Sequence, residues 1–189
     1  MFPELYIMRH GQTTWNAEGR MQGKLNAPLT ALGRDQAQRQ ADLLAHVDLT
    51  GFDVLCSPQG RAVETAAIAL ARQVPLIRTD DRLCEIGVGE WQGRLRTNIA
   101  GYDAADDTPD GPLQLYDTAQ RGEGFAALRS RCEGFLADLT KPSVLITHGI
   151  TSRMLRCVVL GLDADRIGTL PGGQGVVFHL RDGVQVQLG

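Results

Sequence analysis

The sequence predicts an α/β fold, a three-layer sandwich in which a largely parallel sheet carries helices on both faces. Three observations lead to this prediction. Short apolar runs of strand length alternate along the chain with longer segments of helical periodicity. The run at 143–147 has an uninterrupted apolar centre, which is typical of a strand buried on both faces. Near the C-terminus, 176–180 and 184–188 flank Asp182-Gly183, which indicates a β-hairpin and adds one antiparallel strand.

The remaining strands and the helices follow from apolar runs and capping signals. Further strands are predicted at residues 4–8 and 52–56, with a short edge strand at 75–78. Thr30 is a good N-cap for a helix that continues to about residue 45. Ser57 and Pro58 are interpreted as the cap and the first-turn proline of a helix to about residue 72. Two later helices are predicted from about 123 to 139 and from 149 to about 160.

The length of 189 residues favours a single domain, 1–189, with a surface insertion at about 94–121. This insertion is the least regular part of the chain. It contains turn-forming and acidic residues, namely Gly101, Pro109, Gly111, Pro112, Asp103, Asp106, Asp107 and Asp110. Loops of this length in a compact domain are often lids or binding loops, so we expect the insertion to influence which substrate is bound.

Composition and charge exclude several classes of function. The net charge of −3 argues against a general nucleic-acid-binding protein, which would normally carry a basic surplus. No apolar run approaches the roughly 20 residues needed to cross a bilayer, and the N-terminus lacks the pattern of a signal peptide. The four cysteines are scattered without metal-ligand spacing. We therefore expect a cytoplasmic protein with reduced thiols, no metal site and no membrane or nucleic-acid partner. The oligomeric state is left open.

Three predicted strands end next to residues that suit phosphate chemistry. The first ends on Arg9-His10-Gly11, the second just before Arg61, and the fourth on His148-Gly149. In open α/β sheets, ligands bind beyond the carboxyl ends of the strands, so these side chains should converge. Arginine offers a fixed fork of donors that matches phosphate oxygens, and a neutral histidine can be a nucleophile.

The motifs around these residues resemble the histidine phosphatase superfamily, which contains cofactor-dependent phosphoglycerate mutase and many small phosphatases. Residues 9–16, RHGQTTWN, resemble the signature R-H-G-x-T-x-x-N. Four further blocks follow in the family's order: Gln22-Gly23 with Pro28-Leu29-Thr30, Ser57 to Thr65 around Arg61, Leu83 to Gly93 around Glu85, and His148-Gly149 with Arg153. A lone R-H-G would be a weak signal, but ordered blocks at family spacing are specific.

The resemblance implies a role for each matching residue. His10 would be the nucleophile and form a phosphohistidine, while Arg9, Arg61 and His148 would surround the phosphoryl oxygens. Glu85 would give a proton to the leaving oxygen and later activate the attacking water. The substrate-binding positions would be Asn16, Gln22, Gly23, Gly149 and Glu123. Phosphoryl transfer depends on positioning and electrostatic stabilisation, which arginines supply here in place of metal ions.

Some alternatives remain open. Glu90 or Glu123 could supply the acid instead of Glu85, and Asn16 could be a simple helix cap. Three departures from the family pattern are Asn26, the Gly172-Gly173-Gln174-Gly175 turn, and Gly124 after Glu123 where related phosphatases often have serine.

The motifs favour a phosphatase acting on a small phosphorylated metabolite without a cofactor. The first alternative is a phosphoglycerate mutase, which would need 2,3-bisphosphoglycerate. The second is a catalytically idle binding module. The modest, aspartate-rich insertion weighs against the mutase, and the intact set of site residues weighs against the idle module.

Overall fold

A six-stranded sheet divides the molecule, and its strands lie in the order β3-β2-β4-β1-β5-β6. The computed structural model describes residues 2–107 and 113–189. The strand bounds are Leu5–Arg9 for β1, Asp53–Cys56 for β2, Arg78–Thr79 for β3, Ser143–Thr147 for β4, Val177–Arg181 for β5 and Val184–Leu188 for β6. Strands β1 to β4 pair in parallel, and β5 runs antiparallel to both β1 and β6. The predicted α/β class, with one antiparallel strand from the closing hairpin, is confirmed.

Helices cover both faces of the sheet. Their bounds are Thr14–Ala17 for α1, Ala31–Leu44 for α2, Gly60–Leu70 for α3, Gly124–Ala137 for α4 and Gly149–Val159 for α5. Helices α2 and α3 pack with the side chains of Tyr6, Met8 and Val54 on one face. Helices α4 and α5 pack with Leu5 and Ile7 on the other. Alternate residues of β1 therefore face opposite layers, as the pleat of a strand requires. Among the described residues, no helix is both long enough and apolar enough to cross a membrane.

The register of β1 and β4 brings the two site histidines together. Arg9 pairs with Thr147, the last residue of β4, and the His10 N–H donates to the Thr147 carbonyl at 3.0 Å. His10 and His148 therefore follow neighbouring parallel strands at the same level. Their ring centroids lie 5.1 Å apart, although 138 positions separate them in sequence (148 minus 10).

Two predicted element boundaries were wrong. Helix α3 begins at Gly60, with Gln59 as an N-cap that makes no side-chain cap hydrogen bond. Ser57 does not cap this helix: its hydroxyl lies 2.8 Å from the His148 ring and accepts at 3.3 Å from the N–H of Gln59, which precedes the helix. The edge strand is Arg78–Thr79, so the predicted strand at 75–78 was placed too early along the chain. At Ser57 a contact distant in sequence outweighs the local signal.

The insertion is built mainly from turns and short 3₁₀ helices. In the described part of the chain these include Arg96–Asn98 and Leu113–Thr118. Backbone bonds attach the beginning of the insertion to the loop after α1, with Met21 N donating to Arg94 O at 2.9 Å and Arg96 N to Gly19 O at 2.9 Å. Four residues cited from the sequence, Pro109, Asp110, Gly111 and Pro112, lie outside the described residues.

Candidate active site

A small pocket opens at the carboxyl edge of the sheet, where β1, β2 and β4 end. Most of the residues predicted from the sequence line it. The lining residues are Arg9, His10, Asn16, Arg20, Gln22, Gly23, Arg61, Glu85, Arg96 and Tyr116. His148 lies against this set through Arg61, and Gly149 through Arg9. The structure therefore brings together every predicted site residue except Glu123.

His10 is held in one tautomer by its backbone neighbour. Its Nδ1 lies 2.7 Å from the carbonyl oxygen of Gly11, an acceptor, so Nδ1 carries the proton. Its Nε2 accepts a hydrogen bond from Nε of Arg61 at 3.2 Å. Burial, followed by the charges of Arg61 and Arg9, lowers the pKa of His10 well below its usual value. The imidazole is neutral near pH 7, with the Nε2 lone pair on the side of Arg61.

Gly11 allows the loop after β1 to reach helix α2. A Cβ at this position would lie 2.0 Å from the carbonyl oxygen of Gly33, so no larger residue fits without moving the backbone. The Gly11 N–H donates to Oγ1 of Thr65 on α3 at 3.0 Å. The peptide that fixes the His10 ring is therefore anchored to both helices of that layer.

Arg61 bridges the two histidines. Its Nε–H lies 3.2 Å from Nε2 of His10 and 3.2 Å from Nδ1 of His148. The ends of its guanidinium donate to two backbone carbonyls, from Nη1 to Leu25 at 2.7 Å and from Nη2 to Gly23 at 3.0 Å. Burial lowers the pKa of Arg61 to about 10, so it remains charged at neutral pH. These bonds fix a positive fork beside the Nε2 lone pair of His10.

His148 is also neutral and fixed. Because Nδ1 accepts from Arg61, the proton of the neutral ring is on Nε2 and points to Oγ of Ser57 at 2.8 Å. Burial, followed by the charge of Arg61, lowers the pKa of His148 well below its usual value. Ser57 thus orients the second histidine, a role that its predicted position as a helix cap did not reveal.

Arg9 lies beneath the N-terminus of α5. A Cβ on Gly149 would lie 3.3 Å from Cζ of Arg9, a distance tighter than most packed contacts, so glycine leaves room for the guanidinium. Burial lowers the pKa of Arg9 to about 10, and the negative charge of Glu85 opposes this shift. Arg9 is 6% exposed and stays charged at neutral pH.

The Glu85 carboxyl group is held at the N-terminus of α5. Its Oε1 accepts from the backbone N–H of Ile86 at 2.9 Å and of Thr151 at 3.1 Å. Its Oε2 accepts from the N–H of Ile150 at 3.3 Å. The backbone N–H of Glu85 donates to Oε1 of Gln59 at 2.8 Å, and Nε2 of Gln59 donates to the carbonyl of Gly23 at 2.9 Å. Gln59, which the sequence did not single out, therefore joins two segments of the pocket wall.

Asn16 takes part in a helix cap and also lines the pocket. With Thr13 it forms a reciprocal capping box at the start of α1. Its Oδ1 accepts from the Thr13 backbone at 3.1 Å, so its amide nitrogen is the part left to act as a donor. Nε2 of Gln174 donates to the carbonyl of His10 at 3.1 Å and lies 3.4 Å from Oδ1 of Asn16. The glutamine in the unusual Gly172–Gly175 turn thereby contacts two pocket residues.

Gln22 and Gly23 form a further part of the wall. Nε2 of Gln22 donates to the hydroxyl of Thr13 at 2.8 Å. Gly23 has a φ of +52°, and a Cβ there would lie 2.7 Å from Cγ2 of Val88. Only glycine meets both requirements without strain. Its carbonyl is then free to accept from Arg61 and Gln59.

Glu123 is not brought to the pocket. Both of its carboxylate oxygens bind Arg131, at 2.7 and 2.9 Å, and Oε2 also accepts from the N–H of Gly87 at 3.1 Å. Burial alone would raise the pKa of Glu123, but the hydrogen bonds and charge of Arg131 lower it below its usual value. In this structure Glu123 stabilises the backbone that follows Glu85.

Three pocket residues were missed by the sequence reasoning. Arg20 follows α1, and Arg96 and Tyr116 belong to the insertion. Nε of Arg20 donates to Glu18 at 2.6 Å, and Nη1 of Arg96 donates to Asp107 at 3.1 Å. Burial raises the pKa of Tyr116 to about 12, so its hydroxyl stays protonated. No local pattern in the sequence marks Arg96 as a pocket residue, because a bond from its N–H to the carbonyl of Gly19 places it there.

The pocket combines a neutral histidine, a positive fork and a carboxyl group. This combination can bind a phosphoryl group, attack it through nitrogen and exchange a proton with a leaving oxygen. Within residues 2–107 and 113–189, no group of three or more histidine, cysteine or acidic side chains is placed to hold a metal ion.

Comparisons with known proteins agree with this chemistry. The model of the histidine phosphatase superfamily (branch 1) matches residues 5–181. The chain is 34% identical over 173 residues to a protein of Proteus mirabilis named a probable phosphoglycerate mutase, covering 85% of this chain and 76% of that one. It is 32% identical over 182 residues to the glucosyl-3-phosphoglycerate phosphatase of Mycolicibacterium vanbaalenii, covering 90% and 80%. The crystal structure of the alpha-ribazole phosphatase from Shigella flexneri superposes with a TM-score of 0.77 at 29% identity, over 96% of this chain and 93% of that one.

Proposed function

Because the chain belongs to branch 1 of the histidine phosphatase superfamily, we propose that it is a phosphomonoester hydrolase that acts through a phosphohistidine on a small phosphorylated metabolite. The observation that carries this proposal is the state of His10. Its Nδ1–H donates to the Gly11 carbonyl, and its Nε2 lone pair accepts from the charged Arg61 at 3.2 Å, a bond that a bound phosphoryl group would replace. A neutral ring with a directed lone pair is what attack on phosphorus requires.

In the proposed first step, Nε2 of His10 attacks phosphorus and the ester oxygen leaves. The Nε2–P bond forms as the P–O bond to the leaving group breaks. Glu85 gives its proton to the departing oxygen, so the alcohol leaves neutral. Arg9 and Arg61 stabilise the equatorial oxygens, where negative charge is spread in the transition state. His148 lies on the same guanidinium at 3.2 Å and completes this group.

In the proposed second step, water attacks phosphorus opposite His10. Glu85 takes a proton from that water, the N–P bond breaks, and His10 returns to its neutral form. Asn16, Gln22, Gly23 and Gly149 are proposed to shape the binding site around the phosphoryl group. No cofactor is needed for either step, and the residues that line the pocket offer arginines where other phosphoryl-transfer enzymes use metal ions. We keep the cytoplasm as the proposed location.

Hydrolysis is favoured over mutase activity by the walls of the pocket. A mutase has to keep its phosphohistidine from water and bind a second acidic group of the substrate. The two arginines at the outer part of the pocket are already paired within the chain, Arg20 with Glu18 and Arg96 with Asp107. They are therefore less available for a second anionic group than Arg9 and Arg61 are for the first.

Phosphate release from a panel of phosphomonoesters in the presence of a strong chelator tests the proposal. The panel contains p-nitrophenyl phosphate, phosphoserine, 3-phosphoglycerate and a sugar phosphate. We expect release that persists in chelator and falls by about 10³-fold or more in His10→Ala, because the covalent route is lost. His46→Ala is the matched control, because His46 is exposed and distant in the sequence from the pocket residues.

Each contrary outcome assigns a different function. Rapid conversion of 3-phosphoglycerate that needs 2,3-bisphosphoglycerate, with little phosphate release, would make the protein a mutase. Activity of His10→Ala close to that of the unmodified protein would remove His10 as the nucleophile. Binding of phosphate esters without either reaction would support an idle binding module.

A further inference from the structure

The two oxygens of the Glu85 carboxyl group have different surroundings. Oε1 lies 2.9 Å from Ile86 N and 3.1 Å from both the backbone nitrogen and the hydroxyl of Thr151. Among the described residues, Oε2 accepts one longer bond of 3.3 Å, from Ile150 N. Oε1 is thus the anchored oxygen, and Oε2 is the one available to exchange a proton within the pocket.

The Thr151 hydroxyl has one hydrogen for two acceptors. Its Oγ1 lies 2.8 Å from the carbonyl oxygen of Cys84 and 3.1 Å from Oε1 of Glu85. A hydroxyl donates one hydrogen and accepts through its lone pairs, so it can donate to one of these oxygens at a time. Thr151 is fully buried, and water therefore does not supply a substitute donor easily.

We propose that Thr151 is a positioning residue that supports both proton states of Glu85 by turning its hydroxyl between Oε1 and the Cys84 carbonyl. When Glu85 is ionised, the hydroxyl donates to Oε1 and stabilises the negative charge. When Glu85 carries its proton on Oε2, the hydroxyl donates to Cys84 instead. The proposal rests on the acid and base roles of Glu85 in the proposed function.

The turn of this hydroxyl accompanies the proton and does not consume it. As the ester P–O bond breaks, the Oε2 proton moves to the leaving oxygen and the hydroxyl swings to Oε1. As water attacks the phosphohistidine, a water proton moves to Oε2 and the hydroxyl returns to Cys84. The Thr151 hydroxyl therefore donates to Glu85 whenever this carboxyl group is ionised during the reaction. Hydrogen bonds to ionised groups are the stronger ones, so the hydroxyl favours the ionised form of Glu85 from which the base step starts.

The other titratable groups around Glu85 are the same in the variants and in the controls. They come from every element packed against this carboxyl group and comprise Arg9, Arg61, Arg131, Arg153, Tyr116 and Cys132. His10 and His148 lie beyond Arg61. Of the groups that bond directly to the carboxylate, Thr151 supplies the side-chain hydroxyl, and the others are backbone N–H groups.

Thr151→Val removes the hydroxyl and keeps the branched shape. The Cys84 carbonyl keeps a donor, because Nη1 of Arg131 also reaches it at 3.0 Å. The variant is therefore expected to fold. Thr147→Val is the matched control: Thr147 is equally buried, and its hydroxyl donates to the carbonyl of Leu83 at 2.7 Å without contacting Glu85. Thr151→Ser retains the hydroxyl and should behave like the unmodified protein.

The experiment is the pH profile of kcat with p-nitrophenyl phosphate, together with the fraction of phosphohistidine trapped at steady state. Thr151→Val loses one hydrogen bond to a charged group. The low-pH limb of its kcat profile should therefore shift to higher pH by about one unit. At pH values on that limb, trapped phosphohistidine should rise, because hydrolysis of the intermediate depends on ionised Glu85. Thr151→Ser and Thr147→Val should keep the original limb and the original trapped fraction.

Two results would overturn the inference. One is an unshifted limb and unchanged trapping in Thr151→Val. The other is an equal shift in Thr147→Val, which would assign the effect to packing of the segment before Glu85. Failure of the proposed function gives a different pattern, since no variant would then form a phosphohistidine that depends on His10.

Discussion

The inner and the outer walls of the pocket are built in different ways. The inner wall contains Arg9, His10, Arg61 and His148, which end or follow a strand or stand at the start of α3 and are each no more than 6% exposed. The outer wall contains Arg20, Arg96 and Tyr116. Arg20 forms an isolated β-bridge with Leu95, and the other two stand on short 3₁₀ helices. The inner-wall side chains are thus positioned by the sheet and α3, whereas those of the outer wall depend on loops. This division is typical of loops placed on a rigid scaffold.

The arginines of the two walls also have different kinds of partner. On the inner wall, Arg61 donates to the carbonyls of Gly23 and Leu25 and to two neutral histidines, none of which cancels its charge. On the outer wall, Arg20 and Arg96 pair with carboxylates of their own loops. The inner charge therefore remains available for a phosphate dianion, and the outer charges are already partly neutralised.

Replacement of Glu85 gives the largest effect and tests the proton transfer that the proposed function adds to the inner wall. Glu85→Gln keeps the shape of the side chain but removes proton exchange. We expect a loss of about 10³-fold in kcat/KM for alkyl phosphates and a much smaller loss for p-nitrophenyl phosphate, whose leaving group needs no proton. Phosphate release measured with both esters gives the comparison. Glu90→Gln is the control, because Glu90 is exposed and pairs with Arg121 at 3.5 Å.

Equal losses for both classes of ester would argue against Glu85 as the general acid. A loss in Glu90→Gln confined to alkyl phosphates would transfer the role to that residue and would place the proton donor on the outer wall.

Acid should destabilise the folded protein through the two buried histidines of the inner wall. Burial keeps the pKa of His10 and of His148 below 6.5, so below that pH the unfolded chain binds protons that the folded chain does not. This stability is present above pH 6.5 and is lost as the pH falls. Each histidine should lower the free energy of unfolding by roughly 1 kcal/mol at pH 5.5. Chemical denaturation between pH 7.5 and 5.5 measures the slope of the free energy of unfolding against pH.

A histidine variant separates this effect from general acid unfolding. His148→Asn should lose about half of the histidine-dependent slope, and His46→Asn, at an exposed position, should keep all of it. A slope that is the same in all three proteins would show that the buried histidines do not control acid stability.

The outer wall should give the smallest effect and a selective one. Arg96→Met is expected to lower kcat/KM for metabolite esters by about 10-fold. This corresponds to the loss of roughly one hydrogen bond to a charged group. The change with p-nitrophenyl phosphate should be slight, because the inner wall is intact. Arg94→Met, an exposed arginine two residues earlier, is the control. Equal losses for all esters in Arg96→Met would place Arg96 in the chemistry of the inner wall.

The inner wall could be predicted from the sequence because its signals are local. Strands β1 and β4 each end one residue before a histidine, and β2 ends a few residues before Arg61. Parallel strands end at one edge of the sheet, so these residues are expected to meet there. The outer wall could not be predicted in the same way. Arg96 reaches the pocket because its N–H binds the carbonyl of Gly19, 77 positions earlier (96 minus 19), and no local pattern encodes that bond.

Ser57 and Glu123 show the same limit of local signals. Ser57 followed by proline is a good local signal for a helix start, but its hydroxyl binds His148, which comes 91 residues later. The substrate-binding role of Glu123 stays a prediction from a short motif, and in the structure Arg131, two turns further along α4, binds its carboxylate. In both cases no local motif indicates which group the polar side chain binds.

The central position of β1 has a consequence for synthesis of the chain. Its two neighbours in the sheet, β4 and β5, end at Thr147 and Arg181, although β1 itself is complete at Arg9. At roughly 5–20 residues per second, the ribosome needs about 9–34 s to add the 172 residues between Arg9 and the end of β5 (181 minus 9). Throughout that time the buried side chains of β1 and His10 beside them have no finished sheet to enter. A nascent chain stalled before residue 177 should therefore be inactive and prone to bind chaperones, even though nearly every residue of its pocket has already been made.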